Sequence, residues 1–168
     1  HGKTLGILGL GSIGQKVAQF GQVFGMRVIA WSENLTAERA EAVGVTRVSK
    51  QQLFEQADVL SVHLVLSERS RGLVDAQALD WMKPGALLVN TARGPIVDEA
   101  ALIKALQKRK IAAAALDVFD QEPLPELHPF RTLDNVLATP HVGYVSRQNY
   151  AQFFAQMIED IQGWAADN

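Results

Sequence analysis

The chain has 168 residues, 48% hydrophobic and 20% charged, a mix that suits one globular domain or a large piece of a longer protein. A net charge of −2 offers no basic footprint for nucleic acid or an anionic membrane, and no apolar run reaches the ~18 residues of a membrane span. The absence of cysteine excludes disulfides, thiolate metal sites and a cysteine nucleophile; with no signal peptide visible either, a cytoplasmic protein without a metal site is expected.

Short apolar runs alternate with helical patterns along the whole chain. Residues 4–10 read as a buried strand. Ile13, Val17, Phe20 and Phe24 then recur at helical spacing, and Gly25 follows as a left-handed stop. Residues 27–31 are the next strand, 36–43 a short polar helix and 45–48 a short edge strand. Ser49 caps a helix over 50–56, and 58–64 form another buried strand. A helix over 75–82 stops before Lys83-Pro84-Gly85, and 86–90 are a strand. Asp98 caps a helix to about residue 108; 111–119 and 135–139 are strands. The proline-rich stretch 122–129 reads as an ordered loop, because only about a dozen residues separate its flanking strands. Residues 146–164 form an amphipathic helix with Tyr150, Phe153, Met157, Ile161 and Trp164 on one stripe. The plainer reading of that stripe is packing on its own domain; the sharper one is a second domain or a partner subunit.

Strands alternating with helices predict βαβ units in a doubly wound parallel sheet, a Rossmann-type α/β/α domain over residues 1–145. The near-continuous apolar strands fit a sheet covered on both faces. Residues 146–168 form a separate C-terminal helical segment.

Gly9, Gly11 and Gly14 stand in a G-x-G-x-x-G spacing between the first strand and the first helix. That spacing by itself fits a tight turn. Its strand–turn–helix context strengthens the dinucleotide reading. Gly9 permits the turn, Gly11 lets backbone approach a pyrophosphate, and Gly14 lets helix and strand pack closely. The helix N-terminus offers free N–H groups to the phosphates. An acidic residue is expected after the second strand, on the ribose diol. Ser32 stands there instead, and Glu33 supplies a carboxylate one position late or is a solvated loop charge. Glu33 would repel a 2′-phosphate, and no Arg or Lys lies within this turn. The balance favours NAD, with NADP open.

Arg93, Glu122 and His141 each follow a predicted strand end. Ligands of open α/β sheets bind beyond the carboxyl ends of the strands, the edge that carries the glycine loop. These residue types suit hydride transfer to a 2-keto acid. Carbonyl reduction needs a proton donor, and histidine titrates near neutrality. A carboxylate bonded to the imidazole orients it and favours its charged form. A guanidinium fork clamps the substrate carboxylate. His141 is thus the candidate acid–base, Glu122 its partner and Arg93 the clamp, although Arg93 taken alone reads as a surface charge. Spacing favours His141 only modestly over His63 and His128.

The stretches "GKTLGILGLGSIGQKVA", "MKPGALLVNTARGPIVDEAALIKAL", "ALDVFDQEPLP" and "NVLATPHVG" resemble the cofactor-binding domain of the D-isomer-specific 2-hydroxyacid dehydrogenases. The resemblance implies the same three catalytic residues and an NAD(P)-dependent oxidoreductase acting on a small 2-keto or 2-hydroxy acid. It further implies that Asp117 holds the nicotinamide carboxamide and that Ser12 and Ile13 line the pyrophosphate loop. His63 and Leu64 would pass the adenosine side, with Thr91, Ala92 and Gly143 near the nicotinamide. Family members carry a second, substrate-binding domain that this chain lacks, and commonly form homodimers through the cofactor domain. The 146–164 helix would lead back into that absent domain. Transcriptional corepressors that share the domain give an alternative, a dinucleotide-sensing module. Formate dehydrogenases of the same fold place Gln where Glu122 stands.

Overall fold

The computed structural model describes residues 1–166; residues 167 and 168 of the predicted C-terminal segment lie outside the described residues. Seven strands form one parallel sheet: β1 (Thr4–Leu8), β2 (Arg27–Trp31), β3 (Thr46–Arg47), β4 (Val59–Val62), β5 (Leu87–Asn90), β6 (Ala113–Leu116) and β7 (Val136–Ala138). Their order is β3-β2-β1-β4-β5-β6-β7. Strand order therefore reverses between β1 and β4, where Leu8 pairs with Val62. The fold is the predicted Rossmann-type doubly wound sheet.

The helices are α1 (Ser12–Val23), α2 (Ala37–Glu41), α3 (Lys50–Gln56), α4 (Ala76–Trp81), α5 (Glu99–Gln107) and α6 (Arg147–Ala166). Their starts follow the sequence signals. Ser49 and Gln52 close a capping box on α3, and Asp75 and Asp98 accept from the third residues of α4 and α5. Gly25 takes φ +69 after α1, as its stop requires.

Right-handed crossovers put α1 and α2 on one face and α3, α4 and α5 on the other, because the direction of travel reverses after β3. The core divides the same way. Leu5, Ile7, Val28 and Ala30 pack with Ala18 of α1, while Leu8, Ile29, Leu60 and Leu88 pack with Leu53, Phe54, Leu79, Leu102 and Leu106. Alternation along each strand feeds the two clusters, and each buried leucine contributes about 2 kcal/mol.

Burial departs from the sequence pattern in three places. The apolar stripe of α1 faces outward: Ile13, Phe20 and Phe24 are exposed, and the helix buries Gly14, Ala18 and Gly21 instead. A Cβ on Gly21 would lie 2.5 Å from Leu5 Cδ2, so the sheet comes too close for a larger side chain. The sheet is also not covered throughout. The β6–β7 connection contains no α-helix, and on the α1 side β5, β6 and β7 line an open groove of about 310 Å³. The plainer reading of the C-terminal stripe fails as well, since no residue of α6 is buried.

Candidate active site

The loops that follow β1, β4, β5, β6 and β7 meet along the carboxyl edge of the sheet. They enclose a crevice of about 950 Å³, whose walls include Ile13, His63, Leu64, Thr91, Ala92, Arg93, Asp117, His141 and Gly143. Nine residues singled out in the sequence thus line one space. Glu122 reaches it through His141. The glycine loop reaches it through Ile13, and Ser32 and Glu33 stand off the wall, beyond the end of β2.

The three loop glycines have three different reasons. Gly9 has φ +103, and a Cβ there would lie 2.8 Å from the His63 carbonyl. A Cβ on Gly14 would meet Gly9 O at 2.1 Å, so the loop closes only on a hydrogen. Nothing lies within 4 Å of a Cβ on Gly11, whose φ of −82 suits any residue. No protein contact requires glycine at Gly11; the open space before it does, if a ligand backs onto the chain. Gly11 also stands at the N-cap of α1 with no side-chain cap, and the first turn has no acidic residue. The first N–H groups of α1, at Ser12, Ile13 and Gly14, face that space, with the positive end of the helix dipole behind them. These features fit a dinucleotide pyrophosphate.

At the ribose end, the Gly9 N–H donates to Trp31 O at 2.9 Å and ties the turn to β2. Ser32 is half-buried and Glu33 exposed. Although the turn itself has no cation, folding brings two to it. Arg47 Nε donates to Leu35 O at 2.6 Å, and Arg39 Nη1 approaches Asn34 O at 3.5 Å. Both are turned towards backbone carbonyls.

His141 Nδ1 and Glu122 Oε2 are 2.6 Å apart. The other Glu122 oxygen accepts from the Phe119 N–H at 3.0 Å. Partial burial would raise the Glu122 carboxyl, but the hydrogen bonds from His141 and Phe119, with the charges of His141 and Arg93, outweigh it and hold it below the usual range. Glu122 therefore stays an acceptor-only carboxylate, Nδ1 carries a hydrogen, and Nε2 is the nitrogen free to exchange a proton. His141 takes φ +53, an uncommon conformation for a side-chain-bearing residue. Asp117 stabilises it: Oδ1 accepts from the Thr139 hydroxyl at 2.5 Å and the Val142 N–H at 3.0 Å, and Oδ2 from the Gly143 N–H at 2.8 Å. Burial would raise Asp117, but these donors and the His141 charge hold it low.

Arg93 lies exposed on the wall, with Nη1 on Ala92 O at 2.6 Å, and makes no ion pair among the described residues. His63 stands beside Ser61 Oγ at 2.8 Å, and burial pushes its imidazole down. Burial thus favours its neutral form.

Sequence reasoning missed Asn90. It is 1% exposed, donates to Arg93 O and accepts from the Ala92 N–H, both at 3.0 Å, and so shapes the turn that carries Arg93. Asparagine at a strand end before a turn is the available signal. Tyr144 was missed too; it lines the crevice and meets the His141 ring edge-on at 5.8 Å.

A family model described as "D-isomer specific 2-hydroxyacid dehydrogenase, NAD binding domain" matches residues 1–143. A glyoxylate reductase from Aeropyrum pernix is 43% identical over 165 residues, 98% of this chain and 49% of that protein. The crystal structure of a phosphoglycerate oxidoreductase from Vibrio cholerae superposes with a TM-score of 0.93 at 42% identity, covering 99% of this chain and 54% of that one. A D-lactate dehydrogenase from Lactobacillus jensenii, solved with NAD+, gives 0.84 at 30% identity, covering 99% and 53%. The chain thus spans about half the length of these proteins.

Proposed function

The chain belongs to the D-isomer specific 2-hydroxyacid dehydrogenase family, as its NAD-binding domain, and from this we propose that its parent protein interconverts a small 2-keto acid and a D-2-hydroxy acid with NADH. The observation that carries the proposal is the His141–Glu122 pair at 2.6 Å, on the same crevice wall as Arg93. When bound, the nicotinamide supplies the hydride. His141 Nε2 gives its proton to the keto oxygen as the alcohol forms, and Glu122 stabilises the imidazolium before that transfer. The Arg93 guanidinium turns from Ala92 O to fork the substrate carboxylate and polarise the ketone. Ser12, Ile13 and Gly14 present N–H groups to the pyrophosphate, and Asp117 keeps lone-pair capacity for the carboxamide.

At the ribose end Glu33 disfavours a 2′-phosphate, and Arg39 and Arg47 are engaged with the turn's own carbonyls, so NADH is preferred over NADPH. We read the protein as cytoplasmic and homodimeric. The exposed Phe20 and Val23 of α1, with Phe24 just after it, are an apolar surface that a second copy covers, and a monomer mass in light scattering at every concentration removes the dimer.

The test is a panel of glyoxylate, hydroxypyruvate and pyruvate on the full-length protein with both cofactors. His141→Ala should lower kcat/KM about 10³-fold with NADH affinity kept. A loss below tenfold removes His141 as the acid. NADH binding without turnover of any keto acid would favour the sensing module instead, and no binding at millimolar NADH sinks the cofactor reading.

A further inference from the structure

Outside the crevice, a second histidine–carboxylate pair lies at the foot of the loop that carries Glu122. His128 Nε2 and Glu99 Oε1 are 3.0 Å apart, with side chains 14% and 22% exposed, better shielded than the His141–Glu122 pair at 34% and 36%. We propose that Glu99 and His128 are positioning residues: they clasp the 117–135 loop so that Glu122 meets His141. The inference rests on the reading of His141 as the acid–base.

The loop needs such a clasp. It joins β6 to β7 without an α-helix, and its only regular element is a short 3-10 turn at Pro129–Arg131. Glu99, the first residue of α5, grips it on both sides of Glu122. Its Oε2 accepts from the Asp120 N–H at 3.3 Å, two residues before Glu122, and its Oε1 takes His128, six residues after. His128 Nδ1 accepts from the Phe130 N–H at 3.2 Å, so the ring's hydrogen sits on Nε2 and points at Glu99. Glu99 therefore faces two donors, and only an acceptor-only carboxylate satisfies both. Arg131 fixes the rest of the loop through Leu124 O and Pro125 O, at 2.7 and 2.9 Å.

The grip reaches the crevice by a short path. The Phe119 N–H is on Glu122 and the neighbouring Asp120 N–H is on Glu99, so a turn of that backbone moves both carboxylates. The same stretch rests on Gly94, where a Cβ would lie 2.1 Å from Phe119 C and 2.6 Å from Asp120 N. Gly94 follows Arg93 directly. The clasp thus presses the Glu122 loop onto the Arg93 loop and sets the two at a fixed separation.

Two near-isosteric substitutions in the full-length protein test this. Glu99→Gln keeps the shape but leaves one donor facing an amide NH2. His128→Asn keeps an acceptor for the Phe130 N–H and removes Nε2. Each should lower kcat about tenfold with NADH affinity unchanged, since displacement of an orienting partner acts on chemistry rather than on cofactor binding. In a Glu122→Gln background, Glu99→Gln should change kcat less than about twofold, because its effect passes through Glu122. Hydrogen exchange at the Phe119 amide should quicken in both single variants, a readout that needs no turnover. Unchanged exchange at Phe119, or the same loss of kcat with and without Glu122, overturns the clasp. A wild-type protein that reduces no keto acid overturns the proposed function instead, and Phe119 exchange still decides the clasp.

Discussion

Three glycines within six residues can be told apart only by what surrounds each. The spacing suggested a phosphate loop only in its strand–turn–helix context, and it could not say which glycine served the ligand and which the fold. Gly14 serves the fold: its Cβ would meet a carbonyl oxygen at 2.1 Å, and backbone cannot yield as a flexible side chain does. Gly11 has open space and an ordinary φ. Gly14→Ala should therefore cost about 2 kcal/mol of stability or more, read as a lower thermal midpoint. Gly11→Ala should leave the midpoint unchanged and weaken NADH binding at least about tenfold, read by calorimetric titration. Equal loss of stability in both variants would mean that Gly11, too, is structural. The candidate trio was legible for a simpler reason. Arg93, Glu122 and His141 each follow a strand end, and a parallel sheet brings all such ends to one edge. Asn90, the three bonds of Asp117 and the Glu99–His128 clasp were not legible, because each is a contact between segments that nothing in the local sequence pairs.

At the scale of elements, type and order were readable and ends were not. The run at 111–119 forms a strand only over Ala113–Leu116, because Asp117 turns away to hold the His141 loop. The helical spacing of Ile13, Val17, Phe20 and Phe24 predicted a helix correctly, but that stripe is not the helix's buried face, since periodicity gives a stripe and not what covers it. The α6 stripe poses the same problem. Tyr150 touches Phe153 and Phe154 within its own helix, and the helix buries nothing. Its first turn is tied on by Asn149, which donates to Tyr144 O at 2.7 Å. A chain ended after Gln152 keeps that tie. It should lose less than about 1 kcal/mol, a midpoint shift under about 3 °C for a domain of this size. A larger drop would show that α6 supports the sheet.

For the molecule as a whole, the shifted groups nearly all point one way. Asp58 is held below its usual range first by the Thr4 N–H at 2.7 Å, against its burial, and then by Lys83 at 3.0 Å. Asp58 thereby ties the start of β1 to the turn before β5. Asp117 and Glu122 are held low as well, and burial pushes His63 down. Among the described residues Asp120 alone runs the other way, raised by desolvation and then by the Glu99 charge. A group whose pKa falls on folding binds fewer protons in the native state than in the unfolded one, so stability rises with pH across its titration. The carboxylate contributions are complete above the unfolded values of about 4 and are lost as pH falls through the lower native ones. His63 acts earlier, since below about pH 6.5 the unfolded imidazole takes a proton that the folded one declines. Urea unfolding at a series of pH values should give a plateau above about pH 6.5, a shallow decline to about pH 5 and a steep one below about pH 4. Asp58→Asn should cost about 1 kcal/mol at pH 7, because Lys83 then faces a neutral amide, and the difference from wild type should shrink to nothing in strong acid. Stability that holds or rises on acidification would show that these carboxylates are not the groups on which the native state depends.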